Sequence, residues 1–348
     1  MTQAVFAIPG DKDRKTGGFL YEATVLRALN EMGIKTAHLE LPDGFPDPTP
    51  EEMMTALKAL YAVPDHLPII LDGLVFGAID PVGLARVKAP IIAMIHHPLG
   101  TETGLTPERA AFLRANEAAN LKHAAQVIVP SPHTARVLIR EFGADEGLVT
   151  IAPPGFERPV FNRMPVSPPV ILSVGLLARR KGHDVLLNAL SCIKDLSWKA
   201  VIVGKEYDAF VADELRAQCQ QLSLADRVAF PGELGEAALS RHFASATVFA
   251  LATRYEGYGM VLSEAMLFAL PVVSCRVGAV PDTVGEAAIL TPPDDPKAFA
   301  AALRQFLENP ETARDFSELS KVRARSLPEW TDTAQMFASV VQKVTQTD

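Results

Sequence analysis

The chain has little cysteine and lacks a long hydrophobic run. Its 348 residues include 3 cysteines, Cys192, Cys219 and Cys275, whose spacing fits neither a metal site nor a disulfide pattern. We therefore expect a reducing compartment and predict a cytoplasmic protein. The first apolar stretch, Ala4–Ile8, is too short for a signal peptide, and no segment approaches the roughly 20 apolar residues of a membrane-spanning helix. Peripheral contact with the inner face of a membrane stays open, although no basic run favours it.

Positive charge is also scarce. The chain has 33 lysines and arginines against 41 acidic residues, a formal net charge of -8. A surface of this charge repels a phosphate backbone, so we expect no nucleic-acid partner. Hydrophobic residues are plentiful at 48%, which is enough for well-filled cores. The length exceeds that of one ordinary core and predicts two domains.

Short apolar segments alternate with amphipathic segments along almost the whole chain. Strands that alternate with helices form right-handed parallel βαβ units. The pattern predicts an α/β fold with two doubly wound, Rossmann-like domains facing each other across a cleft, with ligands at the carboxyl ends of the strands. The predicted strands are Ala4–Ile8, Thr36–Leu39, Pro68–Leu71, Ile91–Ile95, Val127–Val129, Val149–Ala152, Val170–Val174, Lys199–Val203, Arg227–Phe230, Thr247–Leu251, Pro271–Ser274 and Ala288–Leu290.

Proline and glycine mark the boundary between the two halves. Residues 153–159 are rich in both, and we predict domains over 1–155 and 170–327, joined by a linker over 156–169. Residues 328–348 carry apolar side chains at helical spacing, which predicts a C-terminal helix that needs a surface to cover. That helix packs either on its own domain or, as we expect, back on the first domain.

The most informative motif runs from Arg254 to Met266. A predicted strand precedes it, the apolar run Met260–Leu270 predicts a helix, and Glu256 and Glu264 bracket the glycine turn. Backbone N–H groups at such a helix start bind anions, phosphate above all. Because carboxylates repel phosphate, the glutamates are best explained as acceptors of hydrogen bonds from hydroxyls. A ligand that has phosphate in the middle and hydroxyl-rich rings on both sides is a sugar nucleotide. The simpler interpretation is a pair of solvated glutamates beside a helix start.

A second turn combines glycine with three cations. Gly175 ends a predicted strand, and Arg179, Arg180 and Lys181 precede Gly182 at the start of a predicted helix. Charge-assisted hydrogen bonds from such side chains to a diphosphate each contribute about 1.5–3 kcal/mol. A solvated basic turn is the alternative. The position at a strand end favours a binding role.

Gly17 and Gly18 open a third predicted helix, and His96 and His97 end a predicted strand. Glycine at a helix start lets the backbone approach a phosphate closely. The histidines have no third ligand at metal-site spacing, so we predict no metal. The glycines form no dinucleotide fingerprint, so a nicotinamide cofactor is not expected. The predicted apolar pattern of the helix is Leu20, Tyr21, Thr24, Val25, Ala28, Leu29 and Met32.

Taken together, these segments resemble the retaining glycosyltransferases of family 4, which have the GT-B fold. Residues 256–266 are similar to the paired-glutamate signature of that family, and residues 170–187 to its phosphate-binding turn. Gly17-Gly18 and His96 fall in the expected order. The resemblance implies transfer of a sugar from a nucleotide diphosphate sugar to an acceptor hydroxyl, with retention at the anomeric carbon and without a metal or another cofactor.

The resemblance also implies a role for each site residue. Lys181 would neutralise the leaving diphosphate, Glu264 would hold the ribose hydroxyls, and Glu256 would lie near the donor sugar. His96, in the acceptor-side domain, would lie near the donor sugar and the acceptor. The implied catalytic residues are His96, Lys181 and Glu256. The implied donor-binding residues are Gly17, Gly18, Gly175, Arg179, Arg180, Lys181, Gly257, Tyr258, Gly259, Met260 and Glu264.

Two positions depart from the family pattern. Leu176 stands where the family usually has arginine, so either Arg179 or Arg180 reaches the phosphate instead, or activity is reduced or absent. Ala269 replaces a usual glycine, a change expected to affect packing only. Leu176 keeps open a non-catalytic nucleotide-sugar-binding partner of an active transferase. A sugar-nucleotide epimerase, a phosphorylase and a plain nucleotide-binding module are further alternatives, and the donor base, the acceptor and the oligomeric state are not indicated.

Overall fold

The computed structural model describes residues 2–346 apart from Lys15, Thr103 and Pro165. The predicted linker over 156–169 contains Pro165, so that position of the linker lies outside the described residues. Within the part of the chain that the structure describes, no helix combines the length and the apolar composition needed to cross a bilayer.

The chain forms two compact units, each built around one parallel sheet. Unit 1 comprises Met1–Glu157 and Pro328–Asp348, and unit 2 comprises Arg158–Leu327. Each sheet has six strands with helices between them. The predicted α/β class with two Rossmann-like domains is therefore confirmed.

Unit 1 contains strands β1 to β6 and helices α1 to α6. Its strands are β1 (Ala4–Pro9), β2 (Thr36–Leu41), β3 (Ile69–Asp72), β4 (Ile91–Met94), β5 (Ala124–Val129) and β6 (Val149–Ile151). Its helices are α1 (Gly17–Glu31), α2 (Pro50–Tyr61), α3 (Gly73–Ala78), α4 (Pro81–Leu84), α5 (Pro107–Leu121) and α6 (Pro132–Phe142). The strand order is β2-β1-β3-β4-β5-β6. The chain therefore reverses direction across the sheet between β1 and β3, where ligands of such sheets bind.

Unit 2 contains strands β7 to β12 and helices α7 to α13. Its strands are β7 (Val170–Val174), β8 (Lys199–Val203), β9 (Val228–Gly232), β10 (Val248–Leu251), β11 (Val272–Cys275) and β12 (Ala288–Thr291). Its helices are α7 (His183–Ser191), α8 (Ala209–Gln221), α9 (Glu236–Ser245), α10 (Met260–Leu267), α11 (Val280–Val284), α12 (Pro296–Glu308) and α13 (Pro310–Arg325). The order β12-β11-β10-β7-β8-β9 places the switch point between β7 and β10.

The last helix, α14 (Trp330–Thr345), belongs to unit 1 and packs on α1. Phe337 is fully buried and its ring lies 6.4 Å from that of Phe6 on β1. Thr333 donates a hydrogen bond of 2.8 Å to the carbonyl of Pro153. The apolar stripe of the tail thus covers the same core that α1 and the sheet of unit 1 line.

Two details of the helices differ from the sequence-based expectation. The helix expected over 260–270 ends at Leu267, because Ala269 has a left-handed φ of 54° that turns the chain toward β11. Left-handed backbone disfavours an L side chain, so the change from glycine affects the backbone and not packing alone. Leu20 on α1 is 50% exposed and Met32, just after the helix, is 38% exposed, whereas Glu22 is buried. The expected apolar face of α1 is therefore only partly correct.

Candidate functional site

The loop between β10 and α10 ends in an open helix start. Gly259 precedes α10 with a φ of 87°, a conformation that strongly favours glycine, and no side chain caps the helix. Gly257 and Tyr258 are half-buried in the loop before it, and Met260 begins the helix. Uncapped N–H groups at a helix start, together with the helix dipole, favour an anion. This loop follows a strand at the switch point of the sheet, where the ligand site of such a fold is expected.

Glu256 in this loop forms a buried ion pair with Lys181. Its Oε1 lies 2.7 Å from the Lys181 Nζ, and its Oε2 lies 3.6 Å from Nη1 of Arg180. Burial opposes ionisation of this carboxyl, but the charges of Lys181 and Arg180 outweigh it and keep the pKa of Glu256 below its ordinary value. The hydroxyl of Thr253 also lies 3.0 Å from Oε1. Glu256 is therefore an ionised counter-charge to two cations.

Glu264 lies one turn into α10 and differs from Glu256 in its surroundings. It is half-buried, and its carboxyl has no hydrogen bond or ion pair with the residues that the structure describes. Burial raises the pKa of Glu264 to about 7, against an opposing effect of the Lys181 charge. A carboxyl in this condition has its hydrogen-bonding capacity available to a ligand.

The turn between β7 and α7 carries the cations. Gly175 follows β7, and its N–H donates to the carbonyl of Val203 on β8. Arg179–Lys181 forms a 3-10 turn that ends at Gly182, whose φ is 64°. A side chain at position 182 would meet the Ala252 carbonyl at 1.9 Å, so this turn requires glycine. The close packing of this turn on the segment after β10 brings Lys181 to Glu256.

The two candidate arginines have different partners. Arg180 donates from Nη1 to the Tyr255 carbonyl at 2.9 Å and stands beside Glu256. Arg179 is exposed and pairs instead with Glu214 at 2.7 Å. Of the two arginines expected to compensate for the missing family arginine, the structure therefore brings Arg180 to Lys181 and Glu256. The side chain of Arg179 is engaged elsewhere.

Arg254 and its partners were missed by sequence reasoning. Its guanidinium makes two hydrogen bonds to Asp184 on α7, of 2.9 and 2.7 Å, and a third of 2.8 Å to Asp294. These bonds raise the pKa of Arg254 above its ordinary value, with the Asp184 bond as the main cause. This ion cluster ties the β10–α10 loop to the β7–α7 turn. The only indication of this cluster in the sequence was that Arg254 stands at the start of the motif.

Unit 1 holds its own group of polar side chains at its switch point. Gly17 and Gly18 begin α1 without a side-chain cap, and Gly18 lies against the His96 ring. The Nε2 of His96 lies 3.1 Å from Oε1 of Glu22. Among the described residues, His96, Glu22 and Asp72 are a group whose ligand atoms all lie within 4.8 Å of one another, which a cation could also occupy. Asp72 was expected from the sequence only as a strand end near the acceptor site, and Glu22 was not predicted.

Comparison with known proteins shows the fold of the chain and a family match in unit 2. Residues 157–323 match the family described as "Glycosyl transferases group 1". Sucrose-phosphate synthase from Thermosynechococcus elongatus has the same fold over 99% of this chain and 100% of that chain, with a TM-score of 0.83 and 21% identity. Anabaena HepE in complex with UDP and glucose gives a TM-score of 0.77 at 18% identity, over 98% of this chain and 100% of that chain. The fold is thus GT-B, and the family match covers nearly all of unit 2.

Curated relatives carry names of sugar transfer. Mannosylfructose-phosphate synthase from Agrobacterium fabrum is 27% identical over 237 residues, 62% of this chain and 52% of that protein. The MMP alpha-(1->4)-mannosyltransferase of Mycolicibacterium hassiacum is 23% identical over 317 residues, 86% of this chain and 76% of that protein. The D-inositol 3-phosphate glycosyltransferase of Kineococcus radiotolerans is 28% identical over 241 residues, 61% and 55% of the two chains. The match thus spans about half the length of the first and the third of these relatives.

Proposed function

We propose that this protein is a retaining glycosyltransferase of family 4, which moves a sugar from a nucleoside diphosphate donor to an acceptor hydroxyl. The observation that carries the proposal is the arrangement in unit 2, where buried Glu256 and the half-buried cations Lys181 and Arg180 adjoin an uncapped helix start. Glu264 stands one turn further along that helix, and its carboxyl makes no hydrogen bond or ion pair with a described residue. The glycosyltransferase names of the relatives, and the UDP and glucose in the HepE structure, support the same donor class.

The diphosphate is assigned to the start of α10. Backbone N–H groups there and the cations Lys181 and Arg180 complement its negative charge. As the bond to the sugar breaks, charge grows on the departing phosphate, and preorganised donors stabilise that charge more than they stabilise the ground state. Glu256 orients the Lys181 ammonium through their 2.7 Å contact. This differs from the sequence-based expectation, in which Glu256 was assigned to the donor sugar.

The ribose is assigned to Glu264. From the first residue of α10 to Glu264 is about 6 Å along the helix axis, at 1.5 Å per residue. That span fits a phosphate at the helix start with a ribose beside the carboxyl. Ionised Glu264 accepts hydrogen bonds from the two ribose hydroxyls, and each such charged bond contributes about 1.5–3 kcal/mol.

The retaining mechanism and the residues of unit 1 rest on the resemblance. We assign His96 to the donor sugar and the acceptor, and Gly17 and Gly18 to the phosphates. The leaving phosphate itself accepts the acceptor proton on the same face of the sugar, so the reaction requires no metal and no cofactor. The acceptor is a hydroxyl of a glycan, a lipid-linked sugar or a small molecule, and the site of action is cytoplasmic.

Leu176 favours one competing function. The chain lacks the arginine usual at that position, so a non-catalytic nucleotide-sugar-binding partner of an active transferase is the second candidate. A sugar-nucleotide epimerase differs from both candidates, because it returns an altered donor and makes no glycoside. Arg180 beside Glu256 supports the catalytic candidate, since it supplies a second cation at the cluster.

A donor panel followed by product analysis tests the proposal. Nucleoside diphosphate sugars are first screened by thermal shift, because a donor at about 100 times its Kd adds roughly 2.7 kcal/mol of stability. The donor that shifts the melting temperature is then incubated with candidate acceptors, and the anomeric configuration of the product is read by NMR. A product with the donor's configuration supports the proposal. An inverted product contradicts the retaining mechanism, and tight binding without nucleotide release for any acceptor favours the partner candidate.

A further inference from the structure

Two acidic side chains lie buried beside His96 in unit 1, and the function proposed above makes no use of them. Glu22 projects from the first half of α1 and is 1% exposed, and Asp72 ends β3 and is 3% exposed. His96 follows β4, the next strand across the sheet. The reactive atoms of the three side chains lie within 4.8 Å of one another. Three titratable groups in one buried place constrain each other's protonation.

Among the described residues, no lysine or arginine is recorded as balancing the two carboxyls. The charged groups that act on Asp72 are Glu22 and His96, and Asp72 acts on Glu22. Burial is the main cause that raises the pKa of Glu22 to about 8 and the pKa of Asp72 well above its ordinary value, and the Glu22 charge raises Asp72 further. Two carboxylates this close in an apolar interior cannot both stay ionised. The pair therefore needs either a proton or a cation.

Hydrogen bonding favours a proton. Oδ1 of Asp72 accepts the N–H of Leu74 at 2.8 Å as the cap of α3, a bond that an ionised carboxyl makes best. Oε1 of Glu22 contacts His96, whereas Oε2 of Glu22 is buried with no partner among the described residues. A proton held between Glu22 and Asp72 leaves the pair with a single negative charge.

We propose that Glu22 and Asp72 share one proton at neutral pH and are positioning residues that orient the His96 ring for the sugar-transfer reaction. This inference rests on the proposed function, in which His96 serves the donor sugar and the acceptor. The pair holds Nε2 of His96 through Glu22. The other ring nitrogen, Nδ1, has no hydrogen bond with a described residue, and it is the atom that meets a substrate hydroxyl.

The ring of His96 is held on further sides. The Tyr21 ring meets it edge-on at 5.3 Å, and the Tyr21 hydroxyl is itself fixed by a 2.8 Å bond to the Ala152 carbonyl. A Cβ atom at position 18 would lie 3.3 Å from the ring, so glycine at this position provides the space for the ring. Burial lowers the pKa of His96, an effect that the Asp72 charge opposes only in part. The ring is therefore a neutral hydrogen-bonding group at pH 7, not a cation.

The test that needs no catalysis follows the His96 ring by NMR. In protein labelled with ¹⁵N-histidine, the His96 signals are identified by their loss in His96→Gln. Loss of the shared proton places a second negative charge beside Nε2, so the wild-type ring signals should shift as the pH is raised above neutral. Glu22→Gln should abolish that step. Glu31→Gln, which alters an exposed acid at the end of the same helix, should retain it.

A cation is the other way to balance the pair, and calorimetry distinguishes it. Titration of the wild-type protein with Mg²⁺, Mn²⁺ and Zn²⁺ should show no binding that depends on Glu22. Binding that is tight in the wild type and lost in Glu22→Gln would overturn the shared proton. Absence of the NMR step in the wild type, or its persistence in Glu22→Gln, would overturn it equally.

Kinetics test the positioning role. With the donor identified by the panel, Glu22→Gln should lower kcat about tenfold, within the range that orientation of a reacting group contributes. The donor KM should stay unchanged, and the fall in wild-type kcat as the pH rises above neutral should disappear. Equal kcat in Glu22→Gln and Glu31→Gln would refute positioning. An NMR step in a wild-type protein that turns over no donor would instead refute the proposed function and leave the shared proton standing.

Discussion

Replacing Glu256 with glutamine tests whether this residue is the counter-charge of Lys181. The variant removes the negative charge while keeping the shape of the side chain. Lys181 and Glu256 are only 12% and 6% exposed, and the atoms of the pair are 2.7 Å apart. Removing one partner from a buried pair costs about 3–5 kcal/mol, and glutamine retains an acceptor, so we expect a loss of about 3 kcal/mol in the free energy of unfolding.

A matched control is available on the same turn. The contact between Arg179 and Glu214 has the same length of 2.7 Å, but its side chains are 64% and 45% exposed. Exposed pairs contribute about 0–1 kcal/mol, so Glu214→Gln should change stability by less than 1 kcal/mol. Urea denaturation of both variants and of the wild type, at one pH and one ionic strength, gives the comparison.

Nucleotide binding provides the second readout for Glu256→Gln. A diphosphate brings the negative charge that the variant lacks, so UDP or GDP should bind the variant about tenfold more tightly, a gain of about 1.4 kcal/mol. Sugar transfer should nevertheless slow, because the Lys181 ammonium loses the contact that orients it. Equal destabilisation by Glu256→Gln and Glu214→Gln, or weaker nucleotide binding to Glu256→Gln, would refute the reasoning.

Three further changes give distinct outcomes. Glu264→Gln should weaken UDP or GDP binding by about tenfold or more. In the wild type, affinity should fall from pH 8 to pH 6, because protonation near the pKa of about 7 removes the charged acceptor, and the variant should lack this fall. Unchanged affinity of the variant in calorimetry would contradict the ribose role. Ala269→Gly should raise the melting temperature by relieving a left-handed φ, whereas Ala301→Gly, at an exposed position within α12, should lower it. Burial raises the pKa of Glu117 to about 8, so the stability that its protonated form contributes is present at low pH and is lost as the pH rises from about 4.5 to 8. The free energy of unfolding should fall by up to about 1.4 kcal/mol per pH unit in that window. Glu117→Gln should flatten that loss in urea titrations.

Much of the fold was predictable because it depends on local patterns. Six strands in each half, separated by helices, follow from short apolar runs between amphipathic ones. The end of α10 was harder to predict, because the reversal at Ala269 occurs without the glycine that usually signals it. On α1, the apolar pattern predicted a helix but placed Leu20 on its buried face. Leu20 faces solvent and Glu22 faces the interior, and the helical spacing of the sequence is compatible with either arrangement.

The candidate site was predictable only in part, for a related reason. Glycine turns next to strands identified the residues around Lys181 and Glu256, because parallel strands place their carboxyl ends at one edge. The ion pair joins residues 75 positions apart, and no spacing rule predicts such a contact. Arg180 and Arg179 are equivalent in the sequence. Only the packing of the turn separates the arginine beside Glu256 from the arginine beside Glu214.

The most direct measurement is the rate at which the protein releases nucleotide from its donor in the presence of acceptor. Lys181→Ala should lower that rate about 100-fold or more, a loss of about 2.7 kcal/mol in transition-state stabilisation. Lys199→Ala, which alters an exposed lysine at the opposite end of a neighbouring strand, should leave the rate unchanged. Release at the wild-type rate by Lys181→Ala would contradict the claim that this cation stabilises the departing diphosphate.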